Sequence, residues 1–149
     1  MKCGILSAAF LIGSIALTNA ADAQTKSLKE QLVGTWILSS VVNTNDKGVK
    51  STPWSEHPLG TFMFDEAGHF GEMIIDPDKD NATIDYYGTY SVDEAAKEVL
   101  LHVVGSSAKR FNGMDAKRSV VSISDEAMVT HNPVPSIGSS AETVWKRAR

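Results

Sequence analysis

Four histidines, His57, His69, His102 and His131, and a scatter of carboxylates are the side chains of this sequence best suited to hold a metal or move a proton. None of the histidines stands in a His-x-His or His-Glu-x-x-His spacing, so they predict no metal site. Pro77-Asp78-Lys79-Asp80-Asn81 has a faint look of a calcium loop, but it lacks the glycine and closing glutamate of an EF-hand and reads as a solvated acidic turn. There is no Gly-x-Ser-x-Gly, no phosphate-cradling loop and no dinucleotide fingerprint, and no cofactor is expected. The one cysteine, Cys3, lies in a leader-like segment, which takes thiol chemistry and a disulfide framework out of consideration.

Two polar residues stand out because of their neighbours. His102 interrupts the apolar run Val99-Leu100-Leu101-His102-Val103-Val104, and Arg118 opens Arg118-Ser119-Val120-Val121-Ser122-Ile123. A histidine in such a run is more often a satisfied core or rim residue than a catalyst. An arginine at a strand start is more often solvated or paired. If both point inward, they become polar anchors in an apolar cavity, the usual build of a small-molecule pocket. The tyrosines of Tyr86-Tyr87-Gly88-Thr89-Tyr90 either pack or supply hydroxyl donors.

The chain is 149 residues with a formal net charge of −4, enough for one domain with a single core. Charged residues make up 21% and hydrophobic ones 42%, which excludes a disordered chain and a multi-pass membrane protein. The mild acidity argues against a nucleic-acid partner, which calls for a basic stripe. At the N-terminus, Met1-Lys2 precedes an apolar run from Ile5 to Leu17, and no charge appears between Lys2 and Asp22. Ala21-Asp22-Ala23 is a small-x-small cleavage site, with Thr18-Asn19-Ala20 as the alternative. Residues 1–23 are therefore expected to be a signal peptide and residues 24–149 the mature domain, periplasmic or secreted. Gly13, Ser7, Ser14 and Thr18 weaken the run as a permanent anchor, so no stable membrane insertion is expected after cleavage.

The mature chain reads as strands and turns. A short helix is predicted over Thr25 to Leu32. Strands are predicted over Gly34 to Thr44, Val49 to Thr52, Thr61 to Asp65, His69 to Asp76, Tyr86 to Val92, Glu98 to Gly105, Lys117 to Ser124, Ala127 to His131 and Thr143 to Arg147. About nine short strands with tight turns point to an antiparallel sandwich or barrel. Phe62 and Phe64 share one face with Met63 and Asp65 opposite. Both faces of Glu98 to Gly105 are largely apolar, so that strand is expected to be covered on both sides or to look into a cavity. With little helix available as cover, closure into a barrel is the better solution, because it also removes exposed edges.

Leu32-Val33-Gly34-Thr35-Trp36-Ile37-Leu38-Ser39-Ser40 carries a Gly-x-Trp directly after a short helix. Pro58-Leu59-Gly60 then precedes Phe62-Met63-Phe64-Asp65-Glu66-Ala67-Gly68, and Tyr87-Gly88-Thr89-Tyr90-Ser91-Val92-Asp93 follows. Next come His102 with Ser106-Ser107, Phe111-Asn112-Gly113 leading to Arg118, and a closing Trp145-Lys146-Arg147. In this order the segments resemble the bacterial and fungal lipocalin-like domain family, of calycin type, over Leu32 to Arg147. The resemblance implies an all-β, antiparallel up-and-down barrel of about eight strands around an internal cavity. It also implies structural roles for Gly34 and Trp36 at the closed end, with Arg147 or Lys146 over the indole, a contact of about 0.5–2 kcal/mol.

Three functions follow as expectations. The first is non-catalytic binding of a small, largely apolar molecule, with His102, Arg118 and Tyr90 as anchors and Phe62 and Met73 as walls. The second is an enzyme that isomerises, cyclises or hydrates such a molecule, with His102 as acid–base beside Glu72 or Arg118. The third is a filled-barrel interaction module that presents the Thr44 to Leu59 region, with Trp54 and His57, to a partner. Fold by itself does not choose among them.

Overall fold

Ser27 caps a single helical turn near the start of the described chain. A computed structural model describes residues 26–133 and 139–149; the expected leader, residues 1–23, lies outside the described residues. Helix α1 (Leu28–Leu32) starts later than Thr25 because Ser27 is extended and serves as its N-cap. The Ser27 hydroxyl accepts from the Glu30 N–H, and the Glu30 carboxylate accepts from the Ser27 N–H at 2.7 Å, a reciprocal capping box. Glu94 adds a second cap, accepting from the N–H groups of Leu28 (2.8 Å) and Lys29 (3.1 Å). The helix turns its two leucines, both buried, into one end of a barrel.

The strands are β1 (Gly34–Thr44), β2 (Lys50–Ser51), β3 (Leu59–Phe64), β4 (His69–Asp76), β5 (Ala82–Asp93), β6 (Glu98–Gly105), β7 (Asp115–Ile123), β8 (Ala127–Asn132) and β9 (Ser140–Arg147). All pairings are antiparallel. Neighbours follow chain order from β3 to β9, and β1 pairs with both β3 and β9. The β1–β9 ladder runs from Trp36↔Arg147 to Thr44↔Ser140 across a bulge at Ser39, and it closes an eight-stranded barrel. The short β2 lies outside that count and pairs only with Asn43 and Thr44. Several strands exceed their expected limits: β5 begins at Ala82 opposite Asp76, and β9 at Ser140 opposite Thr44. Polar end residues are held there by ladder bonds to a partner strand, which local propensity does not register.

Alternation sets the interior. Phe62, Phe64, Phe70, Val99, Leu101, Val103, Met128 and Trp145 point inward and are buried. The expectation that both faces of β6 are covered is corrected here: Leu100 and Val104 are 44% and 57% exposed on the outer surface. The only described α-helix covers an end of the barrel, so no other described helix shields that face. Among the described residues no helix is long and apolar enough to cross a membrane.

The two ends of the barrel differ. At the closed end, Trp36 Nε1 donates to the Leu32 carbonyl at 2.9 Å, fastening the helix to β1. Gly34 has φ +129°, and a Cβ there would lie 2.8 Å from Arg147 Nη1, so the Gly of Gly-x-Trp makes room for that arginine. Both ends of the described chain are here as well: Lys26 pairs with Asp125 at 3.5 Å, and the Ala148 N–H donates to the Thr35 carbonyl. The opposite end, where β1 and β4 finish and β5 and β9 begin, is the mouth.

Candidate binding cavity

The mouth leads into a cavity of about 980 Å³. Its apolar wall residues include Val41 of β1, Ile74 of β4, Ile84 of β5 and Ala116 of β7, with Trp54 and Phe111 from the loops, and Asn43 of β1, Thr83 of β5 and Thr143 of β9 add polar groups to the lining. Trp54 is carried by the segment between β2 and β3, and that segment is tied to the β4–β5 turn. The Ser55 N–H donates to Asp76 Oδ2 at 2.7 Å, and the Lys79 ammonium donates to the Pro53 carbonyl. Asp76 is wholly buried and also accepts from the Asp78 N–H at 3.2 Å, with Lys79 Nζ 3.8 Å away. Burial pushes its carboxyl pKa up, but Ser55, the Asp78 N–H and Lys79 together outweigh that and hold it below the usual range. Phe111 sits on a 3₁₀ turn (Lys109–Phe111) between β6 and β7, with the Arg110 guanidinium 4.5 Å over its ring.

The floor is polar. Glu72 and Tyr86 are directly opposite each other on β4 and β5, and both point inward. Arg118 reaches them from β7, past the intervening strand. Its Nη2 donates to the Tyr86 hydroxyl oxygen at 2.6 Å and lies 3.6 Å from Glu72 Oε2; its Nη1 donates to the Lys117 carbonyl at 3.1 Å. All three residues are 7% exposed. Burial, and then the Glu72 charge, drive the Tyr86 hydroxyl pKa far up against the opposing pull of Arg118, so this phenol stays protonated. Burial opposes the charge of Arg118, but Tyr86 and Glu72 overcome it and raise its pKa above the usual value. Glu72 Oε2 is buried with no hydrogen-bond partner. Beneath this floor is an aromatic layer: Phe70 meets Tyr86 edge-on at 6.2 Å, and Phe62 packs against Trp145 at 5.3 Å.

No protein-family model matches the chain, and no curated protein sequence does. Solved structures do match. A lipocalin-like protein from Bacteroides uniformis superposes with TM-score 0.50 at 15% identity, over 79% of this chain and 99% of that one. The fold is a lipocalin-like barrel. A redesigned β-barrel matches to the same extent, with TM-score 0.50 at 16% identity over 83% of this chain and 96% of the other. At these identities the likeness is one of fold.

Within the lipocalin-like barrel, the residues singled out from the sequence part company. Arg118 lines the cavity. Phe62 and Tyr90 point inward but lie in the packed layer towards the closed end. Phe62 is 1% exposed among Phe64, Phe70 and Trp145, and the Tyr90 hydroxyl donates to the Asp65 carbonyl at 2.8 Å. Neither is among the residues that line the cavity. Met73 and His102 point out of the barrel, because Glu72 and Ile74 on β4, and Leu101 and Val103 on β6, take the inward positions. Met73 is 45% exposed; the His102 side chain is 57% exposed, with Nδ1 2.7 Å from Asp115 Oδ1. This outward His102 removes the acid–base pairing with Glu72 or Arg118. At the closed end the cation over the Trp36 ring is Arg147, at 4.0 Å, while Lys146 is exposed. Trp54 is half-buried against the core and His57 is exposed. Tyr86 and Glu72 are the floor residues that sequence reasoning failed to join to Arg118. The signal was the alternation Phe70, Glu72, Ile74, Asp76, whose inward face the apolar pair Met73 and Ile75 disguises. Among the described residues no group of three or more His, Cys, Asp or Glu side chains is placed to hold a metal ion.

Proposed function

We propose that this lipocalin-like barrel binds one small, largely apolar molecule in its cavity, without turnover. The observation that carries this reading is a cavity of about 980 Å³ whose lining surface is mainly apolar, with a compact buried polar floor. Its size falls within the range of small-molecule pockets, and each Å² of apolar ligand surface removed from water is worth about 25 cal/mol. The floor polar groups set the orientation of what enters. The same reading takes residues 1–23 as a cleaved signal peptide and places the barrel in the periplasm or outside the cell, supported by the lone Lys2, the apolar run and Ala21-Asp22-Ala23.

Native mass spectrometry against a panel of fatty acids, fatty alcohols, terpenoids and quinones tests the binding. At least one class is expected to give a one-to-one complex, and Ala116→Trp, which fills the cavity, is expected to abolish it while the far-ultraviolet circular dichroism stays unchanged. Binding that survives Ala116→Trp, or a protein that takes up no member of the panel, overturns the reading. For export, the mass of the chain recovered from a bacterial periplasm is expected to lack residues 1–23 or 1–20; an intact N-terminus counts against it.

A further inference from the structure

Arg118 has hydrogen-bonding capacity to spare. A guanidinium carries five N–H donors. Two of them are placed: Nη2 donates to the Tyr86 oxygen at 2.6 Å, and Nη1 to the Lys117 carbonyl at 3.1 Å. Glu72 Oε2, 3.6 Å from Nη2, supplies a counter-charge rather than an ordinary hydrogen bond. Among the described residues, the side-chain polar atoms that are both sealed and without a partner are Ser55 Oγ and Glu72 Oε2; no nitrogen of Arg118 is one of them. Arg118 Nε makes no hydrogen bond to a described residue, so it is not sealed, and the surface it shows faces the cavity that Arg118 lines.

We propose that the cavity selects an uncharged apolar ligand whose inner end is a hydrogen-bond acceptor, a carbonyl oxygen, received by the Arg118 Nε–H. The proposal rests on the cavity-binding reading and adds the chemistry of the ligand's head and its direction of entry. A carbonyl brings no charge and takes up a donor that no described residue occupies. A carboxylate is also an acceptor, but Glu72 already neutralises Arg118, so its entry buries two anions around one cation. An ammonium head offers only donors to a group that itself donates. The tail then runs from the floor towards the mouth, past Ile84 and Ile74 to Trp54. On β5 the wall from Tyr86 to Ala82 spans four residues, roughly 13 Å of strand.

Three ligands of one chain length decide this: 2-undecanone, 1-undecene and undecanoate, each displacing an apolar fluorophore from the purified chain. The comparison protein combines Arg118→Met with Glu72→Leu, which removes the donor and its counter-charge together and strands neither. From the unaltered chain to this double variant, 2-undecanone is expected to lose at least about tenfold in affinity, the usual worth of a hydrogen bond to a charged group, and 1-undecene to change by less than about twofold. On the unaltered chain undecanoate is expected to bind more weakly than the ketone. The infrared C=O stretch of bound 2-undecanone is expected below its position in hexane, and to return to that position in the double variant. Equal losses for ketone and alkene, or a stretch at the hexane position on the unaltered chain, overturn the proposal and keep cavity binding intact. So does tighter binding of undecanoate than of the ketone. If none of the three displaces the fluorophore and the wider panel also fails, the binding reading falls and this one with it. Should the double variant not fold, the C=O stretch and the ketone-over-carboxylate ranking on the unaltered chain decide alone.

Discussion

The Arg147 guanidinium lies 4.0 Å over the Trp36 ring and donates to the carbonyls of Gln31 at 2.7 Å and Val33 at 3.0 Å. One side chain of the last strand thus fastens the first strand and the plug helix together. Arg147→Met keeps the aliphatic stem and removes the cation and its donors, so a loss of about 3 kcal/mol is expected. Urea denaturation should show a lower midpoint at unchanged slope. Ligand binding at the far end of the barrel should be unaffected.

Arg118 and Glu72 make a different pair, because both are 7% exposed and each is the other's counter-charge. Arg118→Met leaves the Glu72 carboxylate buried without its cation, and a loss of about 3–5 kcal/mol is expected. Arg118→Met combined with Glu72→Leu removes both charges, and the double variant should be more stable than Arg118→Met alone. Denaturant midpoints of the three variants check the order.

Asp76 should make the protein acid-sensitive. Its folded-state carboxyl pKa lies below the ordinary 3.8, so its contribution to stability is fully present above the unfolded value and is lost as pH falls through the lowered one. Asp65, Asp85 and Glu30 are lowered by backbone hydrogen bonds and act in the same direction. Asp76→Asn is expected to weaken the protein at neutral pH and to flatten the acid limb of its stability curve, measured by urea unfolding at a series of pH values. It should also free the Trp54 segment at Ser55, seen as a change in Trp54 emission.

Gly88 sits inward at a register shift between β5 and β6, and a Cβ there would stand 1.9 Å from the His102 carbonyl oxygen. That contact is with backbone, so no side chain can swing away. Gly88→Ala is expected to cost roughly 3 kcal/mol. Thermal unfolding of the variant checks it, and a midpoint within a degree of the parent would contradict the close approach.

Strand rhythm made the barrel legible. The alternation of Phe62 with Phe64, and of Val99 with Leu101 and Val103, marks the inner face without any knowledge of neighbours. The Gly34 and Trp36 spacing likewise marks the closed end. The binding floor was hidden for a physical reason: three residues from β4, β5 and β7 meet only once the sheet curves. A polar residue inside a closed barrel carries the same local pattern as one facing water. His102 misled because an apolar run suggests burial on both faces, whereas one face of β6 is bare. Phe62 and Tyr90 misled because inward does not mean cavity-facing: the barrel is solid below Glu72 and open above it.

Both ends of the described chain leave the barrel beside the Trp36 indole, at the pole opposite the cavity mouth. A tether, tag or fused domain attached after Arg149 therefore starts at the pole away from the entrance. The barrel can be immobilised on a surface through its C-terminus and still face solution with its mouth, the orientation a biosensor or an affinity matrix requires.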